Sequence, residues 1–254
     1  MKTALTIAGS DPTGGAGLQA DLKVFHHFGV YGLSAVSALT AQNTTEVNSV
    51  MGVDAGFLER QLDTLINDIR PDALKTGMLF SIEAIRTVAR IVRSFDLQNL
   101  VIDPVTVSST GASLLEDGAL DVLIEELFPL AAVITPNIYE ASVLSGVRIE
   151  NEIEMEEAAM KLRRLGPVTV VVTGGHLENE TMELVWDGVS AHLFRGKKVA
   201  GEYHGTGCAF SAAVTALLAK GEPVLGSVRK AGEFIEKAIR NAHDLGKGMR
   251  LLHV

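Results

Sequence analysis

The chain has one cysteine, Cys208, so it forms neither an intrachain disulfide nor a cysteine-based metal cluster, and a reducing cytoplasm suits it. It has no strongly apolar run long enough for a membrane-spanning helix. Met1–Lys2 and the short apolar run behind them look a little like a signal peptide, but Asp11 and the following glycines break that pattern. Positive charge is in deficit: 22 Lys and Arg against 31 Asp and Glu give a formal charge of −9. That balance argues against a nonspecific nucleic-acid surface, while a local anion site still needs only backbone donors, a metal and a few cations. Three common signatures are missing as well. The glycine turn at 205–207 has no Lys-Ser/Thr ending of a P-loop, and the glycines at 9–17 lack dinucleotide spacing. Neither His176 nor His204 belongs to a compact metal-binding histidine motif.

Apolar residues, by contrast, make up 47% of 254 positions, enough for a substantial core in one large domain or two small ones. Ala4–Ala8 reads as a buried strand that passes through Gly9–Gly17 into a helix over Leu18–Phe28. Asp21 and Lys23 read as its solvated face. Tyr31–Leu39 is a further apolar segment, Val47–Val53 a short strand and Ala55–Ile69 an amphipathic helix. Ser81 can cap a helix over Ile82–Phe95. Leu100–Val105 is β-rich, Thr106–Gly111 continues as loop, Leu114–Phe128 is mainly helical and Ala131–Thr135 is a strand. A helix over Glu150–Leu165 precedes the β-branched run Val168–Val172. Glu183–Asp187 and Ser190–Phe194 can pair around Gly188, and helices are expected over Ala209–Leu218 and Val228–Leu245. This order of strand, glycine-bearing loop and helix predicts one α/β domain over residues 1–254, with a mostly parallel sheet and ligands at the strand ends.

The candidate chemistry lies at those junctions. Gly205–Thr206–Gly207–Cys208 opens a strong helix, where converging amides and the helix dipole suit an anion; the plainer alternative is a glycine turn with Cys208 packed as a small thiol. A free cysteine is largely a thiol at neutral pH, and a positive phosphate site beside Cys208 can lower its pKa. Gln42 can read the edge of a heteroaromatic ring or tie a loop together. Met78 can shape an apolar pocket or fill core. Asp103 stands at a strand end, where it can orient water around a divalent ion or cap a turn. Asn137 and Glu140, three residues apart, can share a hydrated Mg²⁺ or form a capping network. Thr173–Gly174–Gly175–His176 suits a nucleotide-facing loop or a structural turn, and Arg195, Lys197 and Lys198 suit nucleotide phosphates or a solvated loop.

Together these segments resemble the hydroxymethylpyrimidine and phosphomethylpyrimidine kinase family of the ribokinase-like superfamily. The resemblance is carried by the run from Thr6 to Asp21, by Thr40–Thr44, Lys75–Met78, Asp103–Val105, Thr135–Asn137 and Gly174–Leu177, and above all by His204–Cys208. It implies a three-layer fold around a central, mostly parallel sheet, and ATP-dependent phosphorylation of 4-amino-5-hydroxymethyl-2-methylpyrimidine and then of its monophosphate, for thiamine diphosphate synthesis. It further implies that Gln42 reads the aminopyrimidine, that Gly9, Ala16, Met78 and Val105 shape its pocket, and that Gly205, Thr206, Gly207 and Cys208 form the transition-state anion hole. Asn137 and Glu140 match the family's magnesium-associated pattern, with Asp103 organising the metal and its waters. ATP phosphates fall to Thr173, Lys197 and Lys198, with Thr173 standing where the family commonly has lysine. Glu202–Tyr203 and Thr106 depart from the family pattern too. The resemblance allows a homodimer. Pyridoxal kinase activity is the nearest alternative, and a ligand-binding regulator that keeps the kinase fold is a more distant one.

Overall fold

The structure is a computed structural model, and it describes residues 1–105, 114–174 and 180–254. Strand β1 (Thr3–Ser10) leads into helix α1 (Gly17–His27), followed by β2 (Tyr31–Gln42), β3 (Val47–Gly52), α2 (Ala55–Asp68), β4 (Ala73–Thr76) and α3 (Ile82–Ser94). Next come β5 (Leu100–Ile102), α4 (Ala119–Val122), β6 (Val133–Ile134), α5 (Ile138–Ser145), α6 (Glu152–Arg163) and β7 (Thr169–Thr173). The chain then forms β8 (Glu180–Trp186), β9 (Ala191–Lys197), β10 (Tyr203–His204), α7 (Thr206–Ala219), α8 (Val224–Arg240) and β11 (Arg250–Leu251).

Nine strands form one sheet in the order β3-β2-β1-β4-β5-β6-β7-β8-β9. Strands β2 to β7 in that order run parallel, and only the outer β3, β8 and β9 pair antiparallel. The inner strands are short and apolar because both faces are covered. Successive residues point to opposite faces: Leu5 and Ile7 pack with α2 and α3, whereas Ala4, Val101 and Val133 pack with α1, α7 and α8. The result is the three-layer, ribokinase-like arrangement with a mostly parallel sheet.

The predicted elements recur with shifted ends. Ser81 caps α3 by accepting from the Ala84 N–H at 3.2 Å. β2 runs on to Gln42, beyond the apolar stretch that marked it. The helix expected over Leu114–Phe128 begins only at Ala119, then widens to a π turn at Leu123–Leu127 and tightens to a 3₁₀ turn at Phe128–Leu130. Pro129 limits regular α-helix there because it has no N–H to donate. The final long helix starts at Val224 and ends at Arg240, four residues earlier at its start and five earlier at its end than Val228–Leu245 suggested. Thr106–Gly111 and Gly175–His176 lie outside the described residues.

Candidate active site

All six parallel strands end on the same side of the sheet, and their ends line a cavity of about 1010 Å³. Ligands of open α/β sheets sit beyond the carboxyl ends of the strands, because the turns there expose backbone and carry polar side chains. Most residues singled out from the sequence as site candidates line this one cavity: Gly9, Ala16, Gln42, Met78, Asp103, Val105, Asn137, Glu140, Thr173, Lys197, Lys198, Gly205, Thr206, Gly207 and Cys208. Gly174 does not line it, nor does Arg195, which pairs with Glu152 instead.

Helix α7 points its N-terminus at the cavity. Its N-cap, Gly205, has φ +79° and no side-chain cap, so the first-turn amides of Thr206, Gly207 and Cys208 lack intrahelical partners. The turn also needs glycine for space, since a Cβ at Gly205 would lie 1.8 Å from the Gly15 carbonyl oxygen. The two glycine turns therefore touch backbone to backbone. α7 is buried without a break from Ala209 to Ala219, which fixes the direction of its dipole.

Beneath that turn lies a buried ion cluster. Lys75 Nζ donates to Asp21 Oδ1 at 2.8 Å and Oδ2 at 3.0 Å, and Asp103 Oδ2 lies 3.7 Å away. Thr6 Oγ1 donates to Asp21 at 2.6 Å, and Ser211 Oγ to Asp103 at 3.0 Å. Burial alone would lower the Lys75 pKa, but Asp21 and Asp103 outweigh it and raise it, holding the ammonium charged. Burial pushes the Asp21 carboxyl up, against the pull of Lys75 and Thr6. Asp21 is thus fully buried, which corrects its reading as part of a solvated face; Lys23 does stay exposed. Sequence reasoning gave Lys75 no role. A lysine inside the apolar strand Ala73–Thr76 was the available signal, since it demands a buried acid.

Cys208 is buried beside this cluster. Burial pushes the thiol up to about 12; Lys75 pulls it down, and Asp103 and Asp21 push it up further. The pull of Lys75 does not prevail, because carboxylates already neutralise it. Cys208 is a thiol at neutral pH.

A second buried network borders the cavity. Asp11 Oδ1 accepts from the Thr13 N–H at 2.8 Å, and Oδ2 accepts from Thr13 Oγ1 at 2.9 Å and the Ala16 N–H at 2.9 Å. His204 Nε2 lies 2.7 Å from Asp11 Oδ2 and 3.1 Å from the Gln42 carboxamide. Burial opposes ionisation of Asp11, but hydrogen bonds from His204 and Thr13 prevail and lower its pKa. Met78 and Val105 form an apolar wall with Ala38 and Leu114, so Met78 fills core and shapes the cavity at once. β10 is held by β11, with Tyr203 opposite Arg250 and His204 opposite Leu251. The same tail reaches the loop after Gln42: the Met249 N–H donates to the Thr44 carbonyl and the Gly248 N–H to Thr44 Oγ1, each at 3.1 Å.

Across the cavity the walls are more open. Asn137 and Glu140 form a capping box on α5: Asn137 Oδ1 accepts from the Glu140 N–H and Glu140 Oε2 from the Asn137 N–H, both at 3.0 Å. Thr173 ends β7, while Lys197 and Lys198 end β9 and are exposed. Glu183, on β8 between them, is held by burial at about 7. Among the described residues no cluster of three His, Cys, Asp or Glu could ligate a metal by itself. Asp103, Asn137 and Glu140 nevertheless offer hard oxygen donors on one cavity. They fit a Mg²⁺ that keeps several waters and is held mainly through phosphates.

No described helix is long and apolar enough to cross a membrane. Residues 11–253 match the family model described as phosphomethylpyrimidine kinase. The chain is 40% identical over 251 residues to the hydroxymethylpyrimidine/phosphomethylpyrimidine kinase of Bacillus subtilis, covering 96% of this chain and 92% of that one. It is 45% identical over 246 residues to the thiamine biosynthesis bifunctional protein ThiED of Geobacter sulfurreducens, covering 96% of this chain but only 50% of that longer protein. Among solved structures, an ADP complex of Bacillus subtilis pyridoxal kinase superposes with a TM-score of 0.91 at 40% identity, covering 99% of this chain and 96% of that one. A match over nearly the whole length places this chain in the phosphomethylpyrimidine kinase family.

Proposed function

We propose that the protein transfers the γ-phosphoryl group of ATP to the hydroxymethyl oxygen of 4-amino-5-hydroxymethyl-2-methylpyrimidine, and then phosphorylates that monophosphate to the diphosphate used in thiamine diphosphate synthesis. One observation carries the reading. The uncapped turn Gly205–Cys208 opens onto the same cavity as Gln42 and the Met78–Val105 wall, and as Thr173, Lys197 and Lys198. An acceptor alcohol and a triphosphate can therefore meet at one set of amides.

Gln42 reads the aminopyrimidine, and Gly9, Ala16, Met78 and Val105 enclose it. Thr173, Lys197 and Lys198 meet the nucleotide phosphates. The amides of Thr206, Gly207 and Cys208 take the charge on the moving phosphoryl oxygens, which is where preorganised donors lower the barrier most. Asp103, Asn137 and Glu140 would hold a hydrated Mg²⁺, which when bound would supply neutralising charge at the phosphates. A thiol held near 12 already carries its hydrogen and cannot accept another, so Cys208 positions the acceptor hydroxyl, whose proton passes to an oxygen of the transferred phosphoryl group as the new P–O bond forms and the bond to the ADP oxygen breaks. In this reading residues 1–254 act as one kinase domain, in the cytoplasm and as a homodimer; light scattering on the purified protein tests the last point.

The test follows products by mass spectrometry with the pyrimidine, ATP and Mg²⁺, alongside pyridoxal and a Cys208→Ala variant. Successive mono- and diphosphates from the wild type, with both lost in a folded Cys208→Ala protein, are expected. The 40%-identical pyridoxal kinase favours one second reading: phosphorylation of pyridoxal but not of the pyrimidine would establish that instead.

A further inference from the structure

The backbone is strained just behind the apolar wall of the cavity. The Ser81 N–H donates to the Leu79 carbonyl at 2.9 Å and closes a γ-turn around Phe80, whose φ is +69°. That hand of γ-turn is rare, and a bulky side chain in it is an outlier. Among the described residues the other two non-glycine positions with positive φ are Asp96 and Asn99, types that tolerate it. Glycine would make the same turn without strain, so the packing of the Phe80 ring must offset what its backbone loses.

That packing is concentrated on one wall. A Cβ on Gly52 would lie 2.7 Å from Phe80 Cδ1 and 3.0 Å from Cε1, so the ring rests on the bare backbone of β3. Gly52 pairs with Ala38 on β2, and Ala38, Met78 and Leu114 form the cluster against which Phe80 packs. Met78, Leu114 and Val105 line the cavity whereas Phe80 does not, so the ring backs the wall without entering the site. The Phe80 carbonyl also accepts from the Glu116 N–H at 3.0 Å, which ties the turn to the segment that carries Leu114.

Met78 needs such backing. Ser37 Oγ donates to the Met78 carbonyl at 2.5 Å and holds its main chain, but an unbranched thioether stays flexible beyond that point. Its methyl reaches β1, where a Cβ on Gly9 would lie 2.4 Å from Met78 Cε. We infer that Phe80 is a positioning residue that braces the Met78 wall and thereby limits the size of heterocycle the cavity admits. This rests on the proposed reading in which Met78 and Val105 enclose the heterocycle. Without the ring, Met78 can retreat into the space left behind it, and the wall yields to a bulkier ligand.

Two measurements test it. The Met78 methyl is followed by ¹³C NMR of methyl-labelled methionine, its signal assigned through Met78→Leu. In the wild type that signal should stand apart from free methionine, and in Phe80→Gly, which keeps the turn and removes the ring, it should move toward it. A Met78 signal that stays in place in Phe80→Gly overturns the brace. Gly52→Ala reaches the ring from β3 and should shift the same signal by displacing Phe80, so the test survives if Phe80→Gly does not fold; no shift there overturns the brace too. Separately, kcat/KM is compared for the pyrimidine and for pyridoxal, which carries one more ring substituent. The wild type should favour the pyrimidine, and Phe80→Gly should cut that preference about tenfold while KM for ATP stays the same. Phe80→Tyr, which keeps the ring, should retain the preference. Equal losses on both substrates in Phe80→Gly make the residue merely structural and the inference wrong. A wild type inert on the pyrimidine overturns the substrate reading and the size selection with it, while the NMR result still decides the brace by itself.

Discussion

Asp11 and Lys197 line the same cavity under opposite constraints. Asp11 is buried, and its oxygens are met by donors from Thr13, Ala16 and His204. Lys197 is exposed at the end of an outer strand, beside the equally exposed Lys198. The first arrangement costs desolvation and returns accuracy, because a buried charge surrounded by directional partners has one position. The second costs little and supplies charge without a fixed geometry. A rigid heterocycle needs the former, whereas a flexible triphosphate tolerates the latter. The Lys75–Asp21–Asp103 cluster extends the buried style under the Gly205–Cys208 turn.

The comparison fails if the buried charges prove dispensable. Lys75→Met leaves Asp21 buried without its cation and should cost about 3–5 kcal/mol in urea denaturation. Pairing it with Asp21→Leu should recover much of that loss, since removing both charges leaves no orphan. At the exposed end, Lys197→Ala combined with Lys198→Ala should raise KM for ATP roughly 5- to 10-fold, less so at high salt, while changing stability by no more than about 0.5 kcal/mol. A large stability loss there would erase the distinction between the two styles.

Glu183 gives the smallest and sharpest test. Burial holds it at about 7, above its ordinary 4.5, so the fold favours its neutral form. Its contribution is fully present below pH 4.5 and is lost as pH rises through 7. Glu183→Gln keeps the neutral state at every pH. It should therefore raise Tm by about 2–4 °C at pH 8 and leave it unchanged at pH 4, whereas an equal shift at both would exclude titration as the cause.

Much of this molecule is legible in its sequence, because local rules and tertiary structure agree there. The strand–loop–helix order and the placement of Gln42, Asp103 and Gly205 at strand ends or a helix start follow from apolar runs that stop at polar or glycine positions. Asp21 was not legible. Its partner Lys75 is 54 residues away, and the two meet only because Thr6, which bonds Asp21, pairs with Lys75 across β1 and β4. A carboxylate on a helix two residues from an exposed lysine gives no local sign of such burial. The surroundings of the Cys208 thiol were illegible for the same reason: its potential depends on acids that neutralise Lys75, and those come from other strands and helices. Pattern reports what a residue's neighbours in sequence require, and these two answer to neighbours in space.

The pairing of β10 with β11, and of residues 248–249 with Thr44, has a consequence for how the protein is made. Gly248 and Thr44 lie 204 residues apart, and the bond between them secures the loop that follows Gln42. Closing so distant a contact is slow relative to forming the hairpin of β8 and β9. During synthesis, a nascent chain can therefore assemble most of its sheet while His204 still lacks the strand that holds it in place. Ligand-binding competence should lag behind compaction on the ribosome until residue 251 has cleared the exit tunnel.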